Sequence, residues 1–271
     1  MGYRYETIAD DLRRRIQVGE LLPGQQLPSG NDLAKEYRVS LATLRQAVLN
    51  LVAEGLLVQR HGTGTYVSRP PVRQERSNVR YLEEKRMSLR PEAERRDFGA
   101  TEMDTGLERD ELEFSPTRFR DTEADEELAK LLMRPVGTSL LERTFETWQK
   151  GASAPFGIAV SYVPHDLIAS DLSVFRNPEP HPGGTIHQLR TVGVEVGEII
   201  DTVTARPPTT AEADQLDVRP GQAMVHIRKV SLDTQGRVVE VTLIRAPADR
   251  LELTYTTPLP SWAAIKSGED S

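Results

Sequence analysis

Apolar residues return every fourth position at Ile8, Leu12 and Ile16, so the spacing predicts an amphipathic helix over residues 5–18, closed by Gly19. The turn Leu21-Leu22-Pro23-Gly24 leads to Ser29, which is suited to cap a short helix with Leu33, Ala34 and Tyr37 inward and Asp32 as its capping-box partner. Ser40 caps a third helix that runs to Glu54 with Leu44, Ala47, Val48 and Leu51 on its apolar face, and Gly55 ends it. Two short strands, 56–59 and 65–68, are joined by His61-Gly62-Thr63-Gly64, where glycine permits the positive φ of a tight connection. Helix, turn, helix and glycine-tipped hairpin make one module, residues 1–69.

Pro70-Pro71 then stiffens the chain, and residues 70–80 read as a polar, arginine-bearing linker. A second domain over 81–260 has an α+β pattern containing an internal repeat. A helix ending in Arg134-Pro135-Val136-Gly137 precedes a strand over 139–147, a turn at Lys150-Gly151 and a strand over 156–163. The same order returns as a helix ending in Arg219-Pro220-Gly221, a strand over 224–232, a turn at Thr234-Gln235-Gly236 and a strand over 238–246. Two such units are expected to pair into one antiparallel sheet with helices on one face. Residues 261–271 read as a tail.

Composition narrows the functions open to this chain. It has no cysteine, which excludes disulfides, a thiolate metal site and a cysteine nucleophile, and fits a reducing cytoplasm. No apolar run approaches the ~20 residues of a membrane span, and residues 1–6 lack a signal-peptide core. The chain is expected to be soluble and cytoplasmic. Its net charge of −7 is unevenly divided. Residues 1–69 hold nine basic and seven acidic side chains, while the remainder holds 25 basic and 34 acidic. The first module is the basic part.

A helix-turn-helix presents the N-terminal end of its second helix to the DNA major groove. Here that end offers Ser40 and Thr43, which reach phosphates or bases, Arg45, which can fork onto guanine or phosphate, and Gln46, which can read adenine. Helix N-termini add unpaired N–H groups for phosphate. His61 and Thr63, set between Gly62 and Gly64, can approach the backbone or minor groove. Residues 5–68 resemble the winged helix-turn-helix of GntR-family bacterial transcription factors. Leu27-Pro28-Ser29, Leu33-Ala34, Val39-Ser40, Thr43-Leu44-Arg45, Glu54-Gly55-Leu56-Leu57 and Gly62-Thr63-Gly64-Thr65-Tyr66-Val67 carry that resemblance. It implies a homodimer on double-stranded palindromic operator DNA. Two positions depart from the family pattern. Gly30-Asn31 stands where Glu-Arg is usual, leaving Asn31 as the contact there, and Leu41 stands where an arginine is usual.

The order of elements after residue 80 resembles the UTRA domain of the HutC subfamily, an antiparallel sheet with helices that is chorismate-lyase-like in fold. Arg143, Ser161-Tyr162-Val163-Pro164 and Val239-Glu240-Val241-Thr242-Leu243-Ile244-Arg245 carry this match. It implies a dimerising domain that binds a small acidic or phosphorylated effector, whose binding respaces the DNA-reading heads and releases a repressor. Such a pocket needs fixed cations and groups that sort hydroxyls. Arg118, Arg143, Arg228 and Arg245 lie in or beside strands, and Glu240 sits among valines, an odd place for a charge unless paired or facing a cavity. The candidate effector contacts are Arg118, Arg143, Tyr162, Glu240 and Arg245. Alternation puts Glu240, Thr242 and Ile244 on one face and Val241, Leu243 and Arg245 on the other, so Glu240 and Arg245 line one face only if the strand bulges.

No catalytic triad order, phosphate-cradling loop or metal-spaced histidine cluster stands out, and neither cofactor nor metal is expected. His61, His165, His181, His187 and His226 are scattered, with His165 and His187 read as surface residues. Two alternatives stay open. One is an effector-independent repressor, such as a plasmid-transfer repressor; the other is a chorismate-lyase-like enzyme.

Overall fold

The computed structural model describes residues 4–60, 62–69, 71–96, 99–177, 181, 183–218, 221–259 and 262. Helix α1 (Arg4–Gln17) buries Ile8, Ala9 and Leu12 against α3 (Leu41–Ala53), and the shorter α2 (Gly30–Glu36) adds Leu33 and Ala34 to the same core. Ser29 and Ser40 start the last two helices as expected, each hydroxyl accepting a backbone N–H three residues on, from Asp32 at 3.3 Å and Thr43 at 3.2 Å. Asp32 does not complete the box through the backbone; its carboxylate accepts the Ser29 hydroxyl at 2.6 Å. Strands β1 (Leu57–Arg60) and β2 (Gly64–Val67) form the antiparallel hairpin, one residue out of the expected frame, and Gln26 bridges to Tyr66 on its other side. Arg13, on α1, forks onto Glu54 at 2.8 and 2.6 Å and so locks α1 to the end of α3.

The chain divides into two compact units, residues 1–72 with 206–224, and 73–205 with 225–271. The second opens with β3 (Gln74–Ser77) and helices α4 (Arg80–Met87), α5 (Glu92–Arg96) and α6 (Ala100–Thr105). Strands β4 (Leu112–Phe114) and β5 (Arg118–Glu123), helix α7 (Glu126–Leu132) and strands β6 (Ser139–Gln149) and β7 (Ile158–Pro164) follow. Next come α8 (His165–Ile168), α9 (Leu172–Phe175), α10 (Gly184–Thr191) and β8 (Val196–Arg206), then, after α11 (Thr210–Leu216) of the first unit, β9 (Met224–Asp233), β10 (Val238–Pro247) and β11 (Leu251–Thr254).

Seven strands form one sheet in the order β4-β6-β7-β10-β9-β8, with β5 sharing the outer edge of β6. The internal repeat is real in backbone as well as in sequence. Each copy is a helix followed by a hairpin, and β7 and β10 pair antiparallel where the copies meet. The helices end on left-handed residues, Met133 at φ 53° and Asp217 at φ 48°, and the glycines beyond them, Gly137 and Gly221, stand at 83° and 82°.

Two expectations need correction. Helices cover both faces of the sheet. Ala129 and Leu132 of α7 pack on Leu140, Val238 and Val241, while Ile168, Phe175, Ile186 and Leu189 pack on Leu141, Val163 and Val239. Adjacent apolar pairs such as Leu140-Leu141 demand cover on both sides. Part of the expected linker, Gln74–Ser77, is a strand, because β11 pairs parallel with it from across the chain, with Leu253 opposite Arg76. The tail of residues 261–271, apart from Trp262, lies outside the described residues.

Candidate DNA interface and ligand cavity

Helix α3 buries Leu44, Ala47, Val48 and Leu51, which turns Arg45 and Gln46 outward, with Ser40 and Asn31 also exposed and Thr43 half-buried. The Ser40 and Thr43 hydroxyls lie 2.8 Å apart, and Gln46 Nε2 donates to Asn50 Oδ1 at 3.1 Å. Arg45 makes no ion pair among the described residues. Gly62, Thr63 and Gly64 are exposed at the hairpin tip, where Gln26 Nε2 donates to the Thr63 carbonyl at 2.7 Å. His61 lies outside the described residues. Two further exposed cations escaped the sequence reading. Arg38 stands in the left-handed turn before α3 at φ 54°, and Arg60 lies over the Tyr66 ring at 5.0 Å. Arg13, Arg14 and Arg15 of α1 are tied up by Asp10, Asp11, Glu20, Glu36, Tyr37 and Glu54. The departures at 30 and 41 pack on each other, since a methyl group at Gly30 would come within 3.3 Å of Leu41 Cδ1. Leu41 is half-buried and joins the module's core instead of reaching outward.

The second unit holds a cavity of about 520 Å³ beside the sheet. Glu240, Thr242 and Ile244 of β10 line it together, as alternation requires. Glu240 is 1% exposed. It accepts from Arg143 Nη2 at 3.0 Å, Lys229 Nζ at 2.8 Å and the Ser161 hydroxyl at 2.6 Å. Val239 packs with Leu141 and Val163 while Val238 and Val241 pack on the opposite face, so the alternation slips at Val239-Glu240, as in a bulge. Burial alone would raise the Glu240 carboxyl, but Lys229 and Arg143 hold it down at about 2. Arg143 is fully buried, also donating to Gln188 at 2.7 Å, Ser161 at 2.9 Å and Thr185 at 3.3 Å, and flanked by the rings of Phe145 and Phe175. It organises the floor from beneath, leaving Lys229 as the cation the floor presents to the cavity. The Thr242 hydroxyl, buried in the wall, has no partner among the described residues.

Three of the expected effector contacts stand elsewhere. Tyr162 and Arg245 alternate onto the face opposite Ser161 and Thr242, which line the cavity. Arg118 is largely exposed and forks onto Glu146 at 3.0 Å to both oxygens, so only the carboxylate of that pair reaches the lining. Sequence reasoning missed Lys229, Thr185 and the Gly183-Gly184 turn that opens α10 onto the cavity. His187 is buried, against expectation, and its Nδ1 lies 2.8 Å from His181 Nε2; burial and nearby Arg95 hold it down to about 4. The lining carries six cationic side chains against four carboxylates.

Compared with known proteins, residues 4–67 match the family described as bacterial regulatory proteins of the gntR family, and residues 117–252 match the UTRA domain. The chain is a GntR-family transcriptional regulator with a UTRA domain. GntR regulators bind operator DNA, UTRA domains bind small-molecule effectors, and proteins of this family are regulators rather than enzymes. An HTH-type transcriptional regulator of Streptomyces coelicolor is 26% identical over 99% of the regulator and 97% of that protein. The HTH-type transcriptional repressor NagR of Bacillus subtilis is 44% identical, over 26% of the regulator and 29% of NagR. A crystal structure of a GntR-family regulator matches with a TM-score of 0.61 at 24% identity, covering 95% of the regulator and 98% of that chain, which supports the fold. Among the described residues of the regulator, no helix is long and apolar enough to cross a membrane.

Proposed function

We propose that the regulator is a cytoplasmic, homodimeric repressor that leaves a palindromic operator when a small acidic or phosphorylated metabolite fills its UTRA cavity. The observation that carries this reading is the cavity itself. Its volume suits a metabolite-sized ligand, and cations outnumber carboxylates in its lining. Lys229, the Thr242 hydroxyl and Glu240 are the floor groups that meet such a ligand, with Arg143 holding Glu240 in place. A cavity of this kind speaks against the effector-independent alternative.

On the DNA side, Asn31, Ser40, Thr43, Arg45 and Gln46 face the major groove, and His61, Gly62, Thr63 and Gly64 of the hairpin approach the backbone or minor groove. Effector binding shifts a balance between dimer states and is limited by its differential affinity for them. Fluorescence anisotropy with the DNA upstream of the regulator's own gene, titrated against a metabolite panel, tests this. An acidic metabolite is expected to release the DNA at concentrations that saturate the protein. Saturation without any change in DNA affinity rules out ligand-controlled release.

A further inference from the structure

The cations of the cavity have an uneven origin. Arg76, Arg80, Arg95, Arg96 and Arg109 all come from the stretch between the two family-matched regions, while the UTRA-matched stretch adds Lys229. Most of these arginines already have work. Arg80 is buried between Asp104 and Glu84, Arg96 pairs with Glu92 at 2.5 Å, and Arg109 pairs with Glu102 at 2.9 Å and lies over the Phe114 ring. Arg76 differs. Its carboxylate contact, Asp201, is 3.9 Å away, it donates to the Tyr81 hydroxyl, and its Nε is buried with no partner among the described residues. Tyr81 meanwhile spends its own proton on Asp201 at 2.6 Å. Arg76 is thus a partly exposed cation lining the cavity whose carboxylate contact is long, so its charge is less neutralised than that of its neighbours and is open to an anionic oxygen.

Its position in the chain adds a second consequence. Arg76 lies on β3, and the second unit begins only three residues earlier, directly after Val72 closes the N-terminal stretch of the first. Arg76 is therefore close in sequence to one of the points at which the chain passes between the two units.

Resting on the effector reading above, we propose that the stretch between the two family-matched regions is the anion-recognising wall of the effector site. Arg76 is its ligand contact and the link by which occupancy reaches that crossing point. The ligand is a small organic anion whose carboxylate or phosphate meets Arg76 while its body lies against Phe145 and Ile244, which also line the cavity. The binding energy falls on a residue outside the UTRA fold proper, so regulators sharing that fold but differing in this stretch would take different ligands.

The test uses the full-length protein, with inorganic phosphate, citrate and glucose 6-phosphate as anionic probes and glucose as the neutral one. Each is followed by isothermal titration and by release of upstream DNA. At least one anion is expected to bind the wild type and release the DNA. Arg76→Gln should weaken that anion by about tenfold or more, the loss of one charge-assisted contact, and abolish release by it. Arg76→Lys should fall between, and serves in place of Arg76→Gln if circular dichroism shows that variant unfolded. An anion that binds Arg76→Gln as tightly as wild type, yet loses affinity in Lys229→Gln, overturns the role of this wall and leaves the effector site standing. Binding of glucose alone overturns anion recognition, and binding of no probe overturns the effector reading as well.

Discussion

Arg45 and Arg143 are both arginines on regular elements, and their neighbours decide opposite fates for them. Arg45 follows Leu44 on a helix whose apolar stripe faces inward, so it points to solvent, with no carboxylate paired to it among the described residues. That is the condition for contacting a polyanion, and it was readable from spacing. Arg45→Ala is expected to weaken operator binding by ~1–3 kcal/mol, the cost of a forked base or phosphate contact. A gel shift at fixed salt that shows no change removes Arg45 from the interface. Arg143 was also recognisable as unusual in its strand, but its role was not. Its Nη1 and Nη2 donate to Glu240, Ser161, Thr185 and Gln188, partners up to 97 residues away, and it serves the floor of the cavity rather than its opening. The parity of β10 identified Glu240, Thr242 and Ile244 as one face, and the same parity excluded Arg245; the shift at Val239-Glu240 lies where periodicity alone cannot place it.

At the scale of elements, the repeated helix–hairpin is the clearest case of sequence writing structure. In both copies the helix ends on a left-handed residue, Met133 or Asp217, and a glycine with positive φ, Gly137 or Gly221, follows before the strand. Met133 pays a steric penalty for its left-handed φ while its side chain is 77% exposed and contributes little packing. Met133→Gly is expected to raise stability by about 0.5–1 kcal/mol, since glycine removes that strain at the cost of a looser unfolded chain. A urea midpoint that falls instead would mean that the Met133 side chain packs more than its exposure suggests. The expected linker was misread for a physical reason: the polarity of Gln74–Ser77 is that of a strand in a two-stranded pair, and β11 arrives from residues 251–254.

At the scale of the whole molecule, stability depends on pH through buried carboxylates, Glu240 among them. Glu240 is held at about 2 in the folded state, below its ordinary 4.5. The unfolded chain therefore binds the proton more readily. Its stabilising contribution is complete above the ordinary value and is lost as pH falls from about 4.5 toward 2. Glu240→Gln should lower stability near neutral pH by roughly 3–5 kcal/mol, because Arg143 and Lys229 lose their counter-charge. It should also flatten the acid limb of a plot of thermal midpoint against pH. An acid limb of wild-type steepness in the folded variant would assign that limb to other groups. The division of charge has a whole-molecule meaning too. The module holding the DNA-reading helix is the basic part of an acidic chain, which keeps the rest of the protein from competing for phosphate.

By itself the sequence determined what depends on neighbours a few residues apart: the capped helices, the glycine hairpin, the repeated unit, and the outward face of the DNA-reading helix. Periodicity, caps and turns act locally, so they can be read locally. The tertiary structure decided what requires distant residues to meet. It set Arg76, Thr185, Lys229 and Glu240 around one cavity, withdrew Arg143 beneath its floor, and turned Tyr162 and Arg245 away. A buried charge is stable only where its partners converge, and those partners come from separate strands and helices that only folding brings together.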